Sequence, residues 1–369
     1  MKMLLHNNLP VPPKFHDTML MSWLIDENSQ HGLKALAKAI LGKNPKKFTE
    51  LSKKLDLFTT QDDIMEELAE YCCEDVANTY ELYEHFYPQL EPAGAIVDYE
   101  RVQLKLIPVL IAMEMRGIKV DVSWLQQKQQ EAVKELLRLE KAIIEKIREA
   151  TEDTKAMYNI RSPQQIDKIL FDVLGYAVVK ETDKGKRSTD NEVLQEIVKK
   201  NKLTEDDIVP MLLKFRDLDK VNGTYFVALA QQAGLENVIR ANFLQHGTRT
   251  GRLSSNEPNL QNIPARHDEW NVRQAFVPRE GYKFLMADYS QIELRMLAHF
   301  SKDEHMTKTF IEGGDIHATT MELTGITERR IAKNVNFGIV YGVGPRTLSA
   351  MINKSEAESN KYIDRFLNG

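Results

Sequence analysis

Apolar and polar residues alternate with the period of an α-helix along most of this chain. The longest run spans residues 122–151, where Glu and Lys separate apolar residues that recur every three to four positions, occasionally after seven. These apolar residues are Leu125, Ala132, Leu136, Leu139, Ile143 and Ile147. The spacing places them on one face and predicts one long amphipathic helix, which taken alone suits a coiled-coil arm or an interaction module. The same period predicts helices at 18–24 and 64–87, the second ending at Pro88.

Segments rich in Ser, Gly and Pro interrupt this helical pattern. Residues 92–121 are predicted to form a linker and an apolar helix that ends in a turn at Gly117. Residues 159–163, 184–189 and 214–225 are predicted to be loops between helices.

A different pattern occurs at 283–301. Four apolar residues at 284–287 lead to Asp288, and a helix-periodic run follows at 292–300, which predicts a strand, a turn and a helix. A carboxylate at the end of a buried strand is rigid but open to solvent, as a divalent-metal ligand must be. The alternative is that Ser290 and Glu293 only form a capping box for the helix.

Two cations and two aromatic residues recur every four positions near the end of the chain: Arg329, Lys333, Phe337 and Tyr341. At about 100° per residue, successive members are offset by about 40°, so all four lie within roughly 120° of one helix face. Such a face suits a triphosphate at the charged end and a sugar and base at the aromatic end. A basic amphipathic helix that packs its two rings into a core fits the spacing equally well.

Composition limits the protein class. The 369 residues are enough for two or three domains, and 42% hydrophobic with 28% charged residues exclude a disordered or fibrous chain. The net charge of −5 argues against a uniformly basic nucleic-acid binder, but residues 240–283 hold six arginines and one lysine against four acids. Local cations are sufficient, because counterion release depends on the charges that touch phosphate.

Two further features concern the cellular compartment. Cys72 and Cys73 are adjacent and form no CxxC pattern, so no disulfide framework is expected, and a helix in a reducing compartment is the simplest setting. No apolar run reaches the length of a membrane span, and the N-terminus lacks a signal-peptide pattern. We expect an intracellular protein without a membrane partner.

Several segments resemble one known family. Residues 288–301 (DYSQIELRMLAHFS) resemble motif A of the DNA polymerase I family, the family A DNA-directed DNA polymerases. Residues 329–342 (RRIAKNVNFGIVYG) resemble motif B, and 250–264 (TGRLSSNEPNLQNIP) resemble the loop that precedes motif A. FHDTML at 15–20 and AEYCCEDVANTYELY at 69–83 resemble the C-terminal part of the family's 3′-5′ proofreading exonuclease domain.

The resemblance implies a mostly helical α+β fold, a partial polymerase right hand preceded by an exonuclease remnant. It also implies a cytoplasmic or nucleoid-associated location and leaves a phage-encoded, bacterial or organellar source open. The remnant would span 1–91 and the polymerase domain 92–369. Within the latter, the thumb would occupy about 122–225, part of the palm about 226–315 and the start of the fingers about 316–369.

The resemblance also assigns roles to residues. Asp288 would be one of two carboxylates that bridge two Mg²⁺ ions in the complete enzyme, assisted by the Tyr289 main-chain carbonyl, and Lys333 would be the general acid towards pyrophosphate. Glu293 would exclude a ribose 2′-hydroxyl. The implied dNTP contacts are Gln291, Glu293, His317, Arg329, Lys333, Phe337 and Tyr341. The implied contacts to primer–template DNA are Arg252, Asn259, Gln261, Asn262 and Arg266, in a stretch whose composition alone predicts a turn-rich loop.

The chain departs from the family at motif C, a His-Asp-Glu tripeptide downstream of motif B whose Asp is the second metal carboxylate. The only such tripeptide here, at 267–269, precedes motif A and has no apolar strand beside it, so it is predicted to be a loop without catalytic role. We therefore expect DNA-templated DNA synthesis as the family function, but negligible activity from these 369 residues. A non-catalytic primer–template binding fragment is the alternative.

The exonuclease resemblance is also incomplete. Tyr71 and Asp75 match the Y-x3-D spacing of the third exonuclease motif and lie four residues apart, on one helix face. The other carboxylates of the family site would lie before Met1, and one carboxylate cannot hold two ions. We expect no proofreading, which makes a stand-alone nuclease the least favoured hypothesis.

Overall fold

The described chain is mostly α-helical, as the sequence predicts. The computed structural model describes residues 1–52, 61–182, 184–265 and 268–368. By internal contacts the chain divides into two units, Met1–Lys283 and Phe284–Gly369. That division falls inside the predicted palm segment, and the predicted domain boundaries stay predictions.

The first unit begins with α1 (Lys2–His6), α2 (Thr18–Ile25), α3 (Leu33–Ile40), α4 (Phe48–Ser52) and α5 (Gln61–Phe86). Of these, α2, α3 and α5 bury apolar residues around Tyr99. The helices predicted at 18–24 and 64–87 are thus confirmed. The Asp17 carboxylate caps α2 by accepting from the backbone N–H groups of Met19 and Leu20. Pro88 lies in a 3₁₀ turn, Tyr87–Gln89, directly after α5.

The predicted helix and turn before residue 121 are also confirmed. They comprise α6 (Ile96–Asp98), a π-helix (Tyr99–Gln103), α7 (Leu104–Arg116) and then Gly117. Gly117 has φ +60°, and a Cβ there would lie 2.5 Å from the Ile239 carbonyl oxygen, so both conformation and space require glycine. This turn leads into β1 (Ile118–Lys119), which pairs antiparallel with β2 (Val238–Ile239).

The long helix predicted at 122–151 is present with those bounds as α8 (Val122–Thr151), and all six apolar residues named for it are buried. The helical segments that follow it are α9 (Pro163–Lys168), a π-helix (Ile169–Val173), α10 (Asn191–Asn201), α11 (Ile208–Val221), a π-helix (Asn222–Val227), α12 (Ala228–Ala233) and a 3₁₀ turn (Gly234–Glu236). Of these, α11, α12 and the two π-helices pack directly against α8.

The loop predicted at 214–225 is wrong, because α11 and the π-helix after it run through that segment. Phe215, Leu218 and Phe226 are buried there in the core of α8. Burial of such side chains contributes about 1.5–3 kcal/mol each, whereas a glycine in a helix costs about 1 kcal/mol, so packing outweighs the low propensity of Gly223.

The first unit ends in short elements around the DNA-contact loop. They are β3 (Asn242–Leu244), β4 (Ser254–Asn256) and 3₁₀ turns at Leu260–Asn262 and Val272–Ala275. β3 and β4 pair antiparallel, with Phe243 opposite Ser255. The loop predicted at 250–266 is irregular apart from β4 and one 3₁₀ turn, as far as it is described.

The second unit contains helices packed around two small apolar clusters. They are α13 (Ile292–Ser301), α14 (Glu304–Ile311), α15 (Ile316–Thr324), α16 (Arg329–Val340), α17 (Pro345–Ile352) and α18 (Glu356–Asn368). The helices predicted at 292–300 and from Arg329 onwards are confirmed.

The strand predicted at 284–287 is wrong. Residues 282–289 have no regular secondary structure, and the side chains of Leu285 and Met286 are 93% and 92% exposed. A strand needs a partner for its backbone hydrogen bonds. The described strands pair only as β1–β2 and β3–β4, so none of them offers that partner.

The predicted capping box is also not formed. Gln291 is the N-cap of α13, with φ 53° and no side-chain hydrogen bond to the helix. The Ser290 carbonyl instead accepts a hydrogen bond of 2.9 Å from Arg295 Nε. Glu293 Oε2 accepts a hydrogen bond from the Tyr341 hydroxyl, in the same unit.

Candidate nucleotide and DNA contact sites

The four residues at four-residue spacing lie on the solvent side of α16. The helix buries its opposite side, with Ile331, Ala332, Val335, Asn336 and Gly338 in the interior. Arg329 and Lys333 are exposed, and Phe337 is half-buried. Tyr341 caps the C-terminal end and is 61% exposed, so it is not a core residue. The arrangement is a charged and aromatic face, called here the nucleotide face: Arg329, Lys333, Phe337 and Tyr341.

A hydrogen bond joins this face to α13. The Tyr341 hydroxyl donates to Glu293 Oε2 at 2.7 Å, and the two helices pack together. Sequence reasoning assigned both residues to the nucleotide site but did not predict their contact. The bond holds Glu293, the predicted sugar gate, at the aromatic end of the nucleotide face.

The charged end of the face is tied to α15. Arg329 Nε donates to Asp315 Oδ2 at 2.8 Å, and this contact is the largest cause that lowers the pKa of the Asp315 carboxyl. Asp315 also caps α15 through the His317 backbone N–H, at 3.0 Å. A surface pair of this kind contributes about 0–1 kcal/mol, so a multiply charged phosphate competes readily for Arg329.

His317 lies inside the second unit rather than on its surface. Its side chain is buried, its Nδ1 atom is 2.8 Å from Asn336 Nδ2, and its ring centroid is 6.2 Å from that of Phe337. Burial lowers the pKa of this imidazole. Only 3% of the residue is exposed, and the predicted phosphate contact stays a prediction.

Asp288 and its neighbours are exposed. Asp288, Tyr289 and Ser290 lie on the surface, and the Tyr289 side chain is 80% exposed. The Asp288 carboxylate and the Tyr289 carbonyl are hard oxygen donors, which suit Mg²⁺ in kind. Among the described residues, however, no group of three or more His, Cys, Asp or Glu is placed to hold an ion. The donor set therefore fits a divalent metal in type but not in number.

The predicted DNA contacts lie in the first unit, on the irregular loop around β4. Arg252, Asn259, Gln261 and Asn262 are exposed, whereas Arg266 lies outside the described residues. Several of these groups also stabilise the loop, since Asn259 Oδ1 accepts from the Gln261 N–H at 3.0 Å. Gln261 Nε2 donates to the Leu253 carbonyl at the same distance. If the side-chain amides of Asn259 and Gln261 contact the minor groove, the same amides must also serve these hydrogen bonds within the loop.

Comparison with known proteins identifies the family. The family model described as DNA polymerase family A matches residues 122–369. The chain belongs to this family. A second family model, described as 3′-5′ exonuclease, matches residues 1–91.

Bacterial DNA polymerase I sequences match most of the chain. A DNA polymerase I of Pseudomonas aeruginosa is 35% identical over 95% of this chain and 39% of its own length. DNA polymerase I of Bacillus subtilis is 39% identical over 78% of this chain and 32% of its own length. The matched part thus spans 32–39% of the length of these two relatives.

A solved structure has the same fold. It is described as the POL domain of Pol1 from M. smegmatis in complex with DNA primer-template and dNTP. The match has a TM-score of 0.79 and 27% identity, and covers 98% of this chain and 61% of that one. The expected family A fold is therefore confirmed.

The exonuclease-like part contacts the loop of the family A polymerase part. Trp23 Nε1, on α2, donates to the Thr248 carbonyl at 3.0 Å. The Thr248 hydroxyl donates to the Arg252 carbonyl at 2.7 Å, and a Cβ at Gly251 would lie 3.9 Å from the Trp23 ring. Beside this contact, the His31 and His246 rings are 6.3 Å apart. Trp23 thus contacts the backbone of the loop that carries Arg252.

The two exonuclease-motif residues meet a lysine. Asp75, on α5, is paired with Lys34 of α3, and the Lys34 ammonium lies 4.2 Å from the centre of the Tyr71 ring. The Asp75 carboxylate therefore already faces a cation in this structure. A metal ion would have to displace that ammonium to reach it. The predicted lack of proofreading stays a prediction.

Among the described helices, none combines the length and apolar character needed to cross a bilayer. Cys72 and Cys73 are free and exposed on α5.

Proposed function

We propose that this chain supplies nucleotide and primer–template contacts for a DNA polymerase that extends a primer 3′-hydroxyl with dNTPs in replication or repair. The observation that carries the proposal is the nucleotide face of α16, joined to α13 through the Tyr341–Glu293 bond. The M. smegmatis structure supports it, because that protein is in complex with primer-template and dNTP. A location at the bacterial nucleoid belongs to the same proposal.

The charged end of the face would bind the triphosphate. Arg329 presents a planar guanidinium, which suits bidentate contacts to phosphate oxygens. Lys333 lies one turn further along the same side and is exposed. Its ammonium would stabilise the charge that develops on the leaving pyrophosphate and would donate a proton to it.

The aromatic end would bind the sugar and the base. The Phe337 and Tyr341 rings offer apolar surface, while Gln291 and Glu293 lie at the start of α13. Glu293, held by Tyr341, would occupy the space that a ribose 2′-hydroxyl needs and would so favour deoxyribonucleotides. Rejection by occupied space requires a side chain held in place, which this hydrogen bond provides.

The described residues supply only some of the oxygen ligands that Mg²⁺ would need. Asp288 and the Tyr289 carbonyl would be ligands of Mg²⁺, as in the family, but the described residues do not complete a two-ion site. No step of the reaction is therefore assigned to the ions. The roles proposed for Arg329, Lys333 and Glu293 are binding, proton donation and selection.

Nucleotide binding is tested by titrating the chain with dATP and measuring the dissociation constant calorimetrically. Removing a charged hydrogen-bonding group costs about 1.5–3 kcal/mol, so Arg329→Ala and Lys333→Ala should each weaken binding at least tenfold. Lys361→Ala is the matched control, because Lys361 is also an exposed cation but lies on α18, outside the nucleotide face. Equal losses in all three variants would refute a specific nucleotide face.

DNA binding is tested by measuring affinity for a primer–template at several salt concentrations. Each lost phosphate contact should lower the log–log slope by about 1. Arg252→Ala should show this change. Arg101→Ala, which alters an exposed arginine in the π-helix before α7, should leave the slope unchanged. A slope unaffected by Arg252→Ala would contradict the proposed DNA contact.

A non-catalytic primer–template binding chain is the second candidate. It is favoured by the exposed, irregular segment around Asp288, where the described contacts do not hold the carboxylate rigid. Robust primer extension by this 369-residue chain, with Mg²⁺ and all four dNTPs, would contradict the second candidate. Primer–template binding without dATP binding would support it, whereas dATP binding that depends on Arg329 and Lys333 would support the first.

A further inference from the structure

Behind the nucleotide face, three buried polar side chains connect α15 with α16. This His317 cluster consists of His317 and Thr320 of α15 and Asn336 of α16, each at most 3% exposed. Asn336 Nδ2 lies 2.8 Å from His317 Nδ1, and Thr320 Oγ1 lies 2.8 Å from Asn336 Oδ1. Leaving one such buried group unpaired costs about 1–3 kcal/mol, so the pairing is under physical constraint.

The hydrogen-bond directions follow from the atoms. An amide nitrogen only donates, and an amide oxygen only accepts. With the amide in this orientation, Asn336 Nδ2 donates to His317 Nδ1. The single Thr320 hydroxyl proton is shared between two acceptors, Asn336 Oδ1 at 2.8 Å and the Ile316 carbonyl at 2.9 Å. A ring nitrogen that accepts a hydrogen bond carries no proton, so the neutral imidazole must carry its proton on Nε2.

The charged groups around the ring are Asp315, Arg329 and Lys333. Burial is the largest cause that lowers the His317 pKa, and the two cations act in the same direction, while Asp315 opposes them. The ring is thus neutral near pH 7, and its tautomer determines whether Nε2 donates or accepts.

We propose that Asn336 is a positioning residue that holds His317 as the Nε2–H tautomer, with Thr320 fixing the orientation of the Asn336 amide. A neutral Nε2–H group suits an anionic phosphate, because it donates without the desolvation cost of a buried positive charge. A phosphate contact from His317 Nε2–H rests on the proposed nucleotide-binding function. The assignment of the tautomer does not depend on that function.

The test uses the full chain labelled with ¹⁵N-histidine and long-range ¹H–¹⁵N correlation spectra at a pH where His317 is neutral. His317→Gln identifies the His317 signals. The expected result for the unmodified chain is a protonated Nε2 and an unprotonated Nδ1. A protonated Nδ1 would overturn the proposal.

Asn336→Asp supplies the decisive variant. A carboxylate can only accept, so His317 Nδ1 must then carry a proton, as the other tautomer or as an imidazolium. Asn334→Asp is the matched control, because it places the same charge change two residues away, where Asn334 is half-buried and outside the cluster. An unchanged protonation pattern in Asn336→Asp, in folded protein, would overturn the proposal.

A second pair keeps the proposal testable if Asn336→Asp does not fold. Thr320→Ser retains the hydroxyl and should retain the Nε2–H tautomer. Thr320→Val removes the donor that orients the amide, so a population with Nδ1–H should appear. Identical spectra for Ser and Val would remove Thr320 from the mechanism and overturn the proposed orientation.

A dATP titration of the same samples separates the two proposals. If dATP shifts the His317 Nε2 signal, and Asn336→Asp weakens binding about tenfold relative to Asn334→Asp, both stand. If the tautomer is Nε2–H but dATP neither binds nor shifts any signal, the proposed function fails while the tautomer assignment stands. If dATP binds but the tautomer is Nδ1–H, the assignment alone fails.

Discussion

Replacing Trp23 tests whether the exonuclease-like part of the chain holds the DNA-contact loop in place. Trp23 is 7% exposed, and its indole N–H is paired with the Thr248 carbonyl. Trp23→Phe keeps an aromatic ring beside Gly251 but removes the donor. Trp23→Ala removes both. The two variants therefore separate the hydrogen bond from the packing.

The structure gives the size of each effect. Loss of one hydrogen bond costs about 0.5–1.5 kcal/mol, which makes opening of the loop about fivefold more frequent in Trp23→Phe. Loss of a large buried ring costs about 3–5 kcal/mol, so Trp23→Ala should release the loop almost completely. The backbone that carries Arg252 would then lose its position. DNA affinity should therefore fall in Trp23→Phe and fall further in Trp23→Ala.

Hydrogen exchange measured by mass spectrometry on peptides covering 245–253 is the appropriate assay. Faster exchange should be confined to this segment and to α2 around Trp23. Trp124→Phe is the control, because Trp124 lies on α8 and stacks edge-on against Phe226, away from the loop. Unchanged exchange in Trp23→Ala, or acceleration spread evenly over the chain, would refute the bracing role.

Three further results are expected. Ile143→Ala, at a fully buried position of α8, should lower the free energy of unfolding by about 2–5 kcal/mol; a calorimetric loss below about 1 kcal/mol would contradict the α8 core. Tyr341→Phe should release Glu293 and reduce the preference for dATP over ATP, measured as a ratio of dissociation constants; an unchanged ratio would reject the gate. Burial is the largest cause that lowers the pKa of both His31 and His317 from the ordinary 6.5, so the unfolded chain binds more protons. The free energy of unfolding should therefore fall as pH drops below about 6.5, and His31→Gln should flatten that slope; an unaltered slope would exclude His31 as a contributor.

The elements predicted correctly are those whose stability is encoded locally. In α8 the apolar spacing determines which side of the helix is buried. The predicted bounds of this helix also match the observed ones. At Gly117 the need for positive φ is likewise a property of one residue. The failure at 214–225 came from giving Gly223 more weight than the buried run that includes Phe215 and Leu218.

The contacts that the sequence did not predict join residues distant along the chain. Arg329 and Asp315 are 14 positions apart, and Asn336 and His317 are 19 apart. Spacing within one helix says nothing of such pairs, because they depend on how α15 packs against α16. One signal was available: Asn336 falls on the otherwise apolar side of α16, and a polar residue at such a position needs a partner.

The two halves of the proposed site differ in how firmly they are held. The nucleotide face rests on a helix whose opposite side is buried and whose ends are tied by Asp315 and Glu293. Asp288 stands in an exposed segment without regular structure. Catalysis requires groups held within about 0.5 Å, whereas ground-state binding tolerates looser placement. Variants of Arg329 should therefore change dATP affinity, while Asp288→Asn should leave metal-free dATP affinity unchanged. A large loss of metal-free affinity in Asp288→Asn would mean that this carboxylate supports the nucleotide face directly.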